Sequence, residues 1–148
     1  MHSFVSCLMH VVCSTKNRRP WITSEVQDRL WPYLGGIARE NKMKALKVGG
    51  VEDHVHILLS LPSTLEIAKG MQLLKGNSSK WIHETFPILK TSEWQEGYGA
   101  FSIGVSGIDD TIKYIENQAE HHRKKTFKDE LKAFLKKHEL EYEEWMLD

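Results

Sequence analysis

The chain is poor in cysteine, and this excludes a fold stapled by disulfides. Its 148 residues include only two cysteines, Cys7 and Cys13. Both fall in one predicted strand, about 20 Å apart, which is too far for a mutual disulfide. They share their strand face with apolar residues, so we interpret them as buried thiols. A catalytic cysteine is the less favoured alternative.

Long apolar segments are also absent. No stretch approaches the roughly 18 apolar residues that a membrane-spanning helix needs. The N-terminal segment MHSFVSCLMHVVCSTKNRR lacks the basic start of a signal peptide, and His10 and several serines interrupt its apolar run. We therefore expect a cytoplasmic protein. An apolar content of 41% and a charged content of 27% are typical of globular chains, and the length predicts one domain over residues 1–148.

The formal net charge is zero, from 20 basic and 20 acidic residues. A zero net charge at first argues against a nucleic-acid partner. The charges are unevenly distributed, however. Residues 139–148 hold five acidic residues and no Lys or Arg, which leaves 20 basic against 15 acidic, or +5, on the rest. Solvated surface and a track for phosphates both explain the basic clusters. These clusters are Lys16, Arg18 and Arg19; Lys42, Lys44 and Lys47; and Arg123, Lys124 and Lys125.

Hydrophobic periodicity predicts an α+β fold with the element order β-α-β-β-α-β-α-α. The first six elements match the ferredoxin-like split βαβ arrangement: a four-stranded antiparallel sheet with helices on one face, followed by a C-terminal helix that carries a tyrosine. Gly70 and Gly76 predict a kink or break in the second helix. The predicted strands cover residues 4–14, 43–51, 54–61 and 100–105. The predicted helices cover residues 24–41, 63–86, 109–124 and 126–137, with caps at Ser24, at Ser63 or Thr64 and at Thr126.

The pair His54 and His56 is the most informative motif. Alternate residues of a strand share one face, about 6.6 Å apart, so both imidazoles can converge on one divalent ion while Val55 turns into the core. The alternative is that they only decorate an exposed sheet face. Glu52 and Asp53, in the turn before the strand, are weaker candidates for the same metal shell.

Tyr114 and Gln118 form the second motif. At positions i and i+4 of a predicted helix they share one face, which places a hydroxyl nucleophile beside a carbonyl ligand. Two histidines and Gln118 leave coordination positions open, as a catalytic metal requires. Together the motifs suggest phosphoryl transfer through a tyrosyl intermediate; packing of Tyr114 on the sheet is the alternative. His121 shares the tyrosine face, as an auxiliary ligand or phosphate contact, although a solvated basic helix end is favoured there.

Five segments together resemble a known family. They are HVVCSTKNRRP after the first strand, GGVEDHVHILLSLP around the histidine pair, LLKGNSSKWI in the long helix, WQEGYGAFSIG before the fourth strand, and KYIENQAEHHRKKTF around the tyrosine. The chain resembles, over nearly its whole length, the single-tyrosine HUH transposases, the insertion-sequence-200-like (IS200/IS605) family of bacterial mobile elements.

The resemblance implies a divalent metal, Mg²⁺ or Mn²⁺, held by His54, His56 and Gln118, and no organic cofactor. It also implies that Tyr114 attacks single-stranded DNA with a hairpin, forming a 5′-phosphotyrosine and a free 3′-OH. Family members are homodimers in which the tyrosine helix of one subunit can complete the metal site of the other. We expect DNA contacts from Lys16, Arg18, Arg19, Lys75, Arg123 and Lys124.

Two alternative functions remain at this stage. One is a domesticated relative that cuts chromosomal repeat palindromes with the same chemistry. The other is a non-catalytic nucleic-acid-binding module of ferredoxin-like fold, which would carry aromatic residues on its sheet face for base stacking. The histidines on that face favour the catalytic function.

Overall fold

A four-stranded antiparallel sheet forms the centre of the computed structural model, which describes residues 1–148. The strands lie in the order β2-β3-β1-β4, so the histidine strand β3 is central. This order confirms the predicted ferredoxin-like arrangement. The strands are β1 (Leu8–Ser14), β2 (Lys44–Val51), β3 (His54–Ser60) and β4 (Gly99–Ile103).

Helices cover both faces of this sheet. The main core, a cluster of 17 buried residues, packs the first two helices against one face and includes Val55, Ile57 and Leu59 of β3. The last helices lie on the opposite face, where Phe127 packs against Val12 and Phe101. The helices are α1 (Ser24–Glu40), α2 (Ile67–Thr85), α3 (Ile108–Glu116), α4 (Gln118–His121) and α5 (Phe127–Lys137). None of them is long and apolar enough to cross a membrane.

The first and last strands are shorter than predicted. Phe4 and Val5 are exposed and lie before β1, because β1 pairs with β3 only from Leu8, opposite Ser60, and Pro62 follows soon after. Val105, predicted in β4, lies in a one-turn 3₁₀ helix, Val105–Gly107. Both cysteines are free; Cys13 is buried as predicted, while Cys7 is half-buried.

The helix caps agree with the sequence in part. Thr126 caps α5 as predicted, its hydroxyl accepting a hydrogen bond from the Asp129 N–H at 3.2 Å. The N-cap of α1 is Thr23, one residue before the predicted Ser24. The predicted cap of α2 at Ser63 or Thr64 is wrong, since that helix begins at Ile67 with Glu66 at the N-cap position, where it makes no side-chain cap bond.

The glycines of α2 do not interrupt it. A Cβ on Gly70 would lie 3.1 Å from Met43 Sδ and 3.3 Å from Leu61 Cδ2, so the missing side chain lets the helix pack closely on the core. That packing offsets the low helix propensity of glycine. The predicted break near Gly76 is therefore wrong. The tyrosine helix, predicted as continuous, is interrupted instead at Asn117, between α3 and α4.

Candidate active site

The two histidines of β3 lie on the sheet face opposite the main core. His54 and His56 are both 0% exposed, because α4 and α5 cover them. The alternative of two histidines decorating an exposed sheet face is therefore wrong. Their rings are 5.2 Å apart, centroid to centroid, so strand alternation brings them into one buried pocket, as expected.

Asp53 fixes the orientation of the His54 ring. His54 Nδ1 lies 2.7 Å from Asp53 Oδ1, and a carboxylate accepts, so Nδ1 carries a proton and Nε2 faces the pocket. There Nε2 lies 3.1 Å from Gln118 Oε1 and 3.3 Å from Glu130 Oε1. Burial opposes charge on this ring, but hydrogen bonds to Asp53 and Glu130 outweigh it and raise the pKa of His54 to about 9. Asp53 thus stands behind the ring, on the far side from the pocket.

A buried histidine, His10, contacts the side of the His56 ring that faces away from Glu130. His56 Nδ1 lies 2.7 Å from His10 Nε2, and His56 Nε2 lies 3.0 Å from Glu130 Oε1. Burial lowers the pKa of His10 to about 3, and burial also lowers the pKa of His56. His10 and His56 are therefore both neutral, and the N–H of one ring donates a hydrogen bond to the bare nitrogen of the other. No local pattern in the sequence predicts this contact of His10, which there only interrupts an apolar run.

Tyr114 and Gln118 meet in the same pocket despite the break at Asn117. The Tyr114 hydroxyl donates to Glu130 Oε2 and lies 3.2 Å from His121 Nε2. Gln118 Nε2 donates to the same carboxylate oxygen at 3.1 Å. Burial, together with the hydrogen bond to Glu130 and its charge, raises the pKa of the Tyr114 phenol above its ordinary value, so the hydroxyl keeps its proton here. His121 lies at the tyrosine hydroxyl rather than at a solvated helix end.

Glu130 is the central residue that sequence reasoning missed. It is 2% exposed and lies on α5. Burial favours the neutral acid, but hydrogen bonds from His54, His56 and Tyr114 outweigh it and hold the pKa of Glu130 well below its usual range. One signal could have found it: Glu130 sits at helical spacing on the apolar stripe of Phe127, Leu131 and Phe134, where a carboxylate needs a buried partner.

Three of the six predicted DNA contacts gather beside this pocket. Arg18, Arg123 and Lys124 line a cavity of about 410 Å³ together with Asp53 and His122. Arg18 also stacks on Phe127, with its Cζ 4.8 Å from the ring centroid, and Arg123 pairs with Glu120 at 3.4 Å.

The other three lie elsewhere. Lys16 and Arg19 line a separate cavity of about 460 Å³, and Lys16 pairs with Glu93 at 3.1 Å. Lys75 Nζ donates to the backbone oxygens of Gln95 at 2.6 Å and Gly97 at 2.8 Å. The Lys75 ammonium group therefore stabilises the loop before β4.

The donor set fits a divalent metal ion. One ligand atom from each of four side chains lies within 4.8 Å of all the others, the four being His54, His56, His122 and Glu130, and the Gln118 carbonyl adjoins them. Imidazole nitrogen together with carboxylate and amide oxygen suits several divalent ions. The His54 orientation set by Asp53 is typical of histidine ligands in metal sites.

Comparison with known proteins decides the family. A family model described as "Transposase IS200 like" matches residues 3–118. The chain belongs to the IS200-like transposase family. This confirms the resemblance drawn from the five sequence segments and makes the protein a DNA transposase.

Characterised relatives agree with this assignment. The chain is 28% identical over 120 residues to the transposase for insertion sequence element IS200 of Salmonella typhimurium, covering 76% of this chain and 79% of that protein. It is 29% identical over 114 residues to the ISDra2 transposase TnpA of Deinococcus radiodurans, covering 74% of this chain and 81% of the relative.

Solved structures share the fold. A crystal structure from Deinococcus radiodurans R1, assigned as a transposase, has a TM-score of 0.67 and 27% identity, covering 80% of this chain and 95% of that one. A REP-associated tyrosine transposase bound to a REP hairpin has a TM-score of 0.60 over 82% of this chain and 72% of that one. At 15% identity, the second likeness concerns the fold alone.

Proposed function

We propose that this transposase cuts and rejoins single-stranded DNA in a metal-dependent reaction, with Tyr114 as the nucleophile and His54, His56 and Gln118 as metal ligands. One observation carries the proposal. The Tyr114 hydroxyl, the Gln118 amide and both imidazoles converge on one buried carboxylate, that of Glu130. A nucleophile and a set of metal donors therefore share one pocket, as covalent phosphoryl transfer requires.

The covalent step exchanges one phosphate ester for another. Tyr114 Oη forms a bond to phosphorus and the bond from phosphorus to the 3′-oxygen breaks, leaving a 5′-phosphotyrosine and a free 3′-OH. The phenol proton has an acceptor within reach in His121 Nε2, 3.2 Å from the hydroxyl oxygen, and the 3′-oxygen gains a proton as it leaves. A bound Mg²⁺ or Mn²⁺ ion would neutralise charge on the phosphate. The phosphotyrosine is itself a phosphate ester. A second 3′-OH can therefore attack its phosphorus, which releases Tyr114 and joins the 5′ end to that 3′-OH.

The substrate proposed is single-stranded DNA folded into a hairpin; the REP-associated tyrosine transposase of similar fold is bound to a REP hairpin. Arg18, Arg123 and Lys124 form a basic cavity beside the pocket, which suits the phosphates that lead to the cleavage point. The alternative function with the same chemistry is that of a domesticated enzyme that cuts repeat palindromes. The DNA flanking the gene distinguishes the two functions. A mobile element has subterminal palindromes at both ends.

We also propose a homodimer in the cytoplasm. Strand β4 is an edge strand of the sheet, and its free edge can pair with a second copy. Within one chain Tyr114 already lies beside its own histidines, with 5.7 Å between the Tyr114 and His56 ring centroids. Mixing Tyr114→Phe with His54→Ala chains tests exchange. Cleavage by the mixed dimer would require sites built from two chains, whereas inactive mixed dimers would restrict each site to one chain.

The variant Tyr114→Phe tests the nucleophile. It removes only the hydroxyl, so the protein should fold and bind hairpin DNA while the covalent protein–DNA adduct disappears from a denaturing gel. Tyr142→Phe is the matched control, because Tyr142 is exposed and should leave the adduct unchanged. Chelator should abolish the wild-type adduct, and Mn²⁺ or Mg²⁺ should restore it. An adduct that persists in Tyr114→Phe would refute the assignment.

A further inference from the structure

Two residues beyond the family-matched segment enter the proposed metal site. The match ends at residue 118, whereas His122 follows α4 and Glu130 lies on α5. Both side chains are largely buried, with 10% of His122 and 2% of Glu130 exposed. Both side chains therefore reach the site from outside the matched segment.

The hydrogen bond made by His122 Nδ1 leaves the other ring nitrogen, Nε2, facing the pocket. His122 Nδ1 lies 2.8 Å from the backbone oxygen of Lys125, and a carbonyl oxygen only accepts, so Nδ1 carries the proton. Nε2 is then the ring nitrogen that faces the pocket and that a metal ion could bind. This nitrogen is buried and has no hydrogen-bond partner, although Glu130 Oε1 lies 3.3 Å away. A buried ring nitrogen without a hydrogen bond thus lies beside a carboxylate oxygen, and a metal ion bound by both atoms would satisfy them.

Glu130 Oε1 is the common neighbour of the imidazoles. It lies 3.0 Å from His56 Nε2 and 3.3 Å from His54 Nε2. Ligands bound at right angles, each about 2.1 Å from a divalent ion, lie about 3 Å from one another. The separations already match neighbouring ligands of one ion.

We infer that His122 and Glu130 complete the metal centre begun by His54, His56 and Gln118, and that Glu130 positions Tyr114 against it. The two carboxylate oxygens divide these roles, since Oε1 faces the imidazoles while Oε2 accepts from the Tyr114 hydroxyl and from Gln118 Nε2. One carboxylate then links the ion to the nucleophile. This inference rests on the proposed function, because it assumes a divalent ion at His54 and His56.

Metal binding without DNA tests the inference. Metal-free, full-length protein is titrated with Mn²⁺ by calorimetry, with circular dichroism to check folding. Glu130→Gln and His122→Ala should each raise the dissociation constant about tenfold or more, since loss of even an outer-sphere partner typically costs 10–100-fold. The matched controls are Glu120→Gln, an exposed acid paired only with Arg123, and His138→Ala, whose ring packs on Phe101. Both should bind Mn²⁺ as the wild type does.

A second measurement does not depend on how the variants fold. Pulsed electron paramagnetic resonance of the wild-type Mn²⁺ complex counts directly bound imidazole nitrogens. The inference requires three, from His54, His56 and His122, and a count of two would overturn the assignment of His122. Unchanged Mn²⁺ affinity in Glu130→Gln would overturn the assignment of Glu130.

The same data separate failure of the inference from failure of the proposed function. If wild type binds Mn²⁺ with two imidazoles and only His54→Ala or His56→Ala abolishes binding, the inference fails while the proposed function stands. If wild type binds no Mn²⁺, or His54→Ala binds it as tightly as wild type, the proposed metal site and the inference both fail.

Discussion

Helix α5 closes the active site, and Phe127 holds it there. His54, His56 and Gln118 are at most 1% exposed, so we expect a DNA phosphate to reach them only after α5 moves away. Phe127 is 7% exposed, and its ring centroid lies 4.6 Å from that of His54. We predict that Phe127→Ala releases α5 from the sheet and exposes both histidines.

The structure sets the size of this effect. Removing a buried Phe side chain costs about 3–5 kcal/mol. Phe127 belongs to a cluster of only three buried residues, where water can refill the space, so we take the lower figure of about 3 kcal/mol. At about 1.4 kcal/mol for each factor of ten, the opening equilibrium should shift roughly 150-fold toward the open form.

Chemical labelling of the metal-free protein measures the opening. Diethylpyrocarbonate should modify His54 and His56 far more slowly than exposed His2 in the wild type, and about 100-fold faster in Phe127→Ala than in wild type. Cys13 reports global unfolding, because it lies in the main core and burial raises the pKa of its thiol to about 12. Its labelling rate should rise much less.

Phe4→Ala is the matched control, since it removes the same atoms from a side chain that is 86% exposed. It should leave every labelling rate unchanged. The reasoning is refuted if wild-type His54 and His56 react as fast as His2. It is refuted equally if Phe127→Ala accelerates Cys13 and the two histidines by the same factor, since the helix would then open only with the whole domain.

Two further predictions concern the residues that orient the site. Asp53→Asn removes the carboxylate behind His54 and should weaken Mn²⁺ binding about 10–100-fold, while Glu52→Gln, the neighbouring acid, should not; equal affinities in a Mn²⁺ titration would contradict this. A Cβ on Gly49 would lie 2.8 Å from Ile115 Cγ2 and 2.9 Å from its backbone oxygen, so Gly49→Ala should push α3 and Tyr114 off the sheet, with a loss of about 1–3 kcal/mol in urea unfolding. Gly76→Ala meets no atom within 4 Å and should instead stabilise α2 by about 0.5–1 kcal/mol.

Local periodicity explains which parts of the site could be predicted. The alternation of β3 places His54 and His56 together whatever surrounds the strand, and the i, i+4 spacing brings Tyr114 near Gln118. These relations depend on short-range backbone geometry alone. The helix break at Asn117 was missed, yet both side chains still contact Glu130, because tertiary packing fixes their final positions.

The residues that were missed join the site through long-range packing. His10 reaches His56 by pairing of β1 with β3, and Glu130 is 74 residues away from His56 in sequence. No local pattern encodes such contacts. The basic clusters show the same limit. Arg18 and Arg19 are neighbours in sequence, but Asn17 and Arg18 adopt left-handed backbone angles, with φ of 57° and 56°. This turn places Arg18 beside the site and Arg19 in a different cavity.

The position of Glu130 connects closure of the site with entry of DNA. Its carboxylate is an anion held among imidazoles and the Tyr114 hydroxyl, which is where the proposed reaction needs a phosphate. An incoming phosphate would take the place of this carboxylate, so Glu130 positions Tyr114 against the metal site in the closed form, before the covalent step. The exchange preserves the charge balance of the buried site, so opening would not leave the charge of His54, or of a bound divalent ion, unpaired. We therefore expect DNA binding and undocking of α5 to be coupled, each favouring the other by the same free energy.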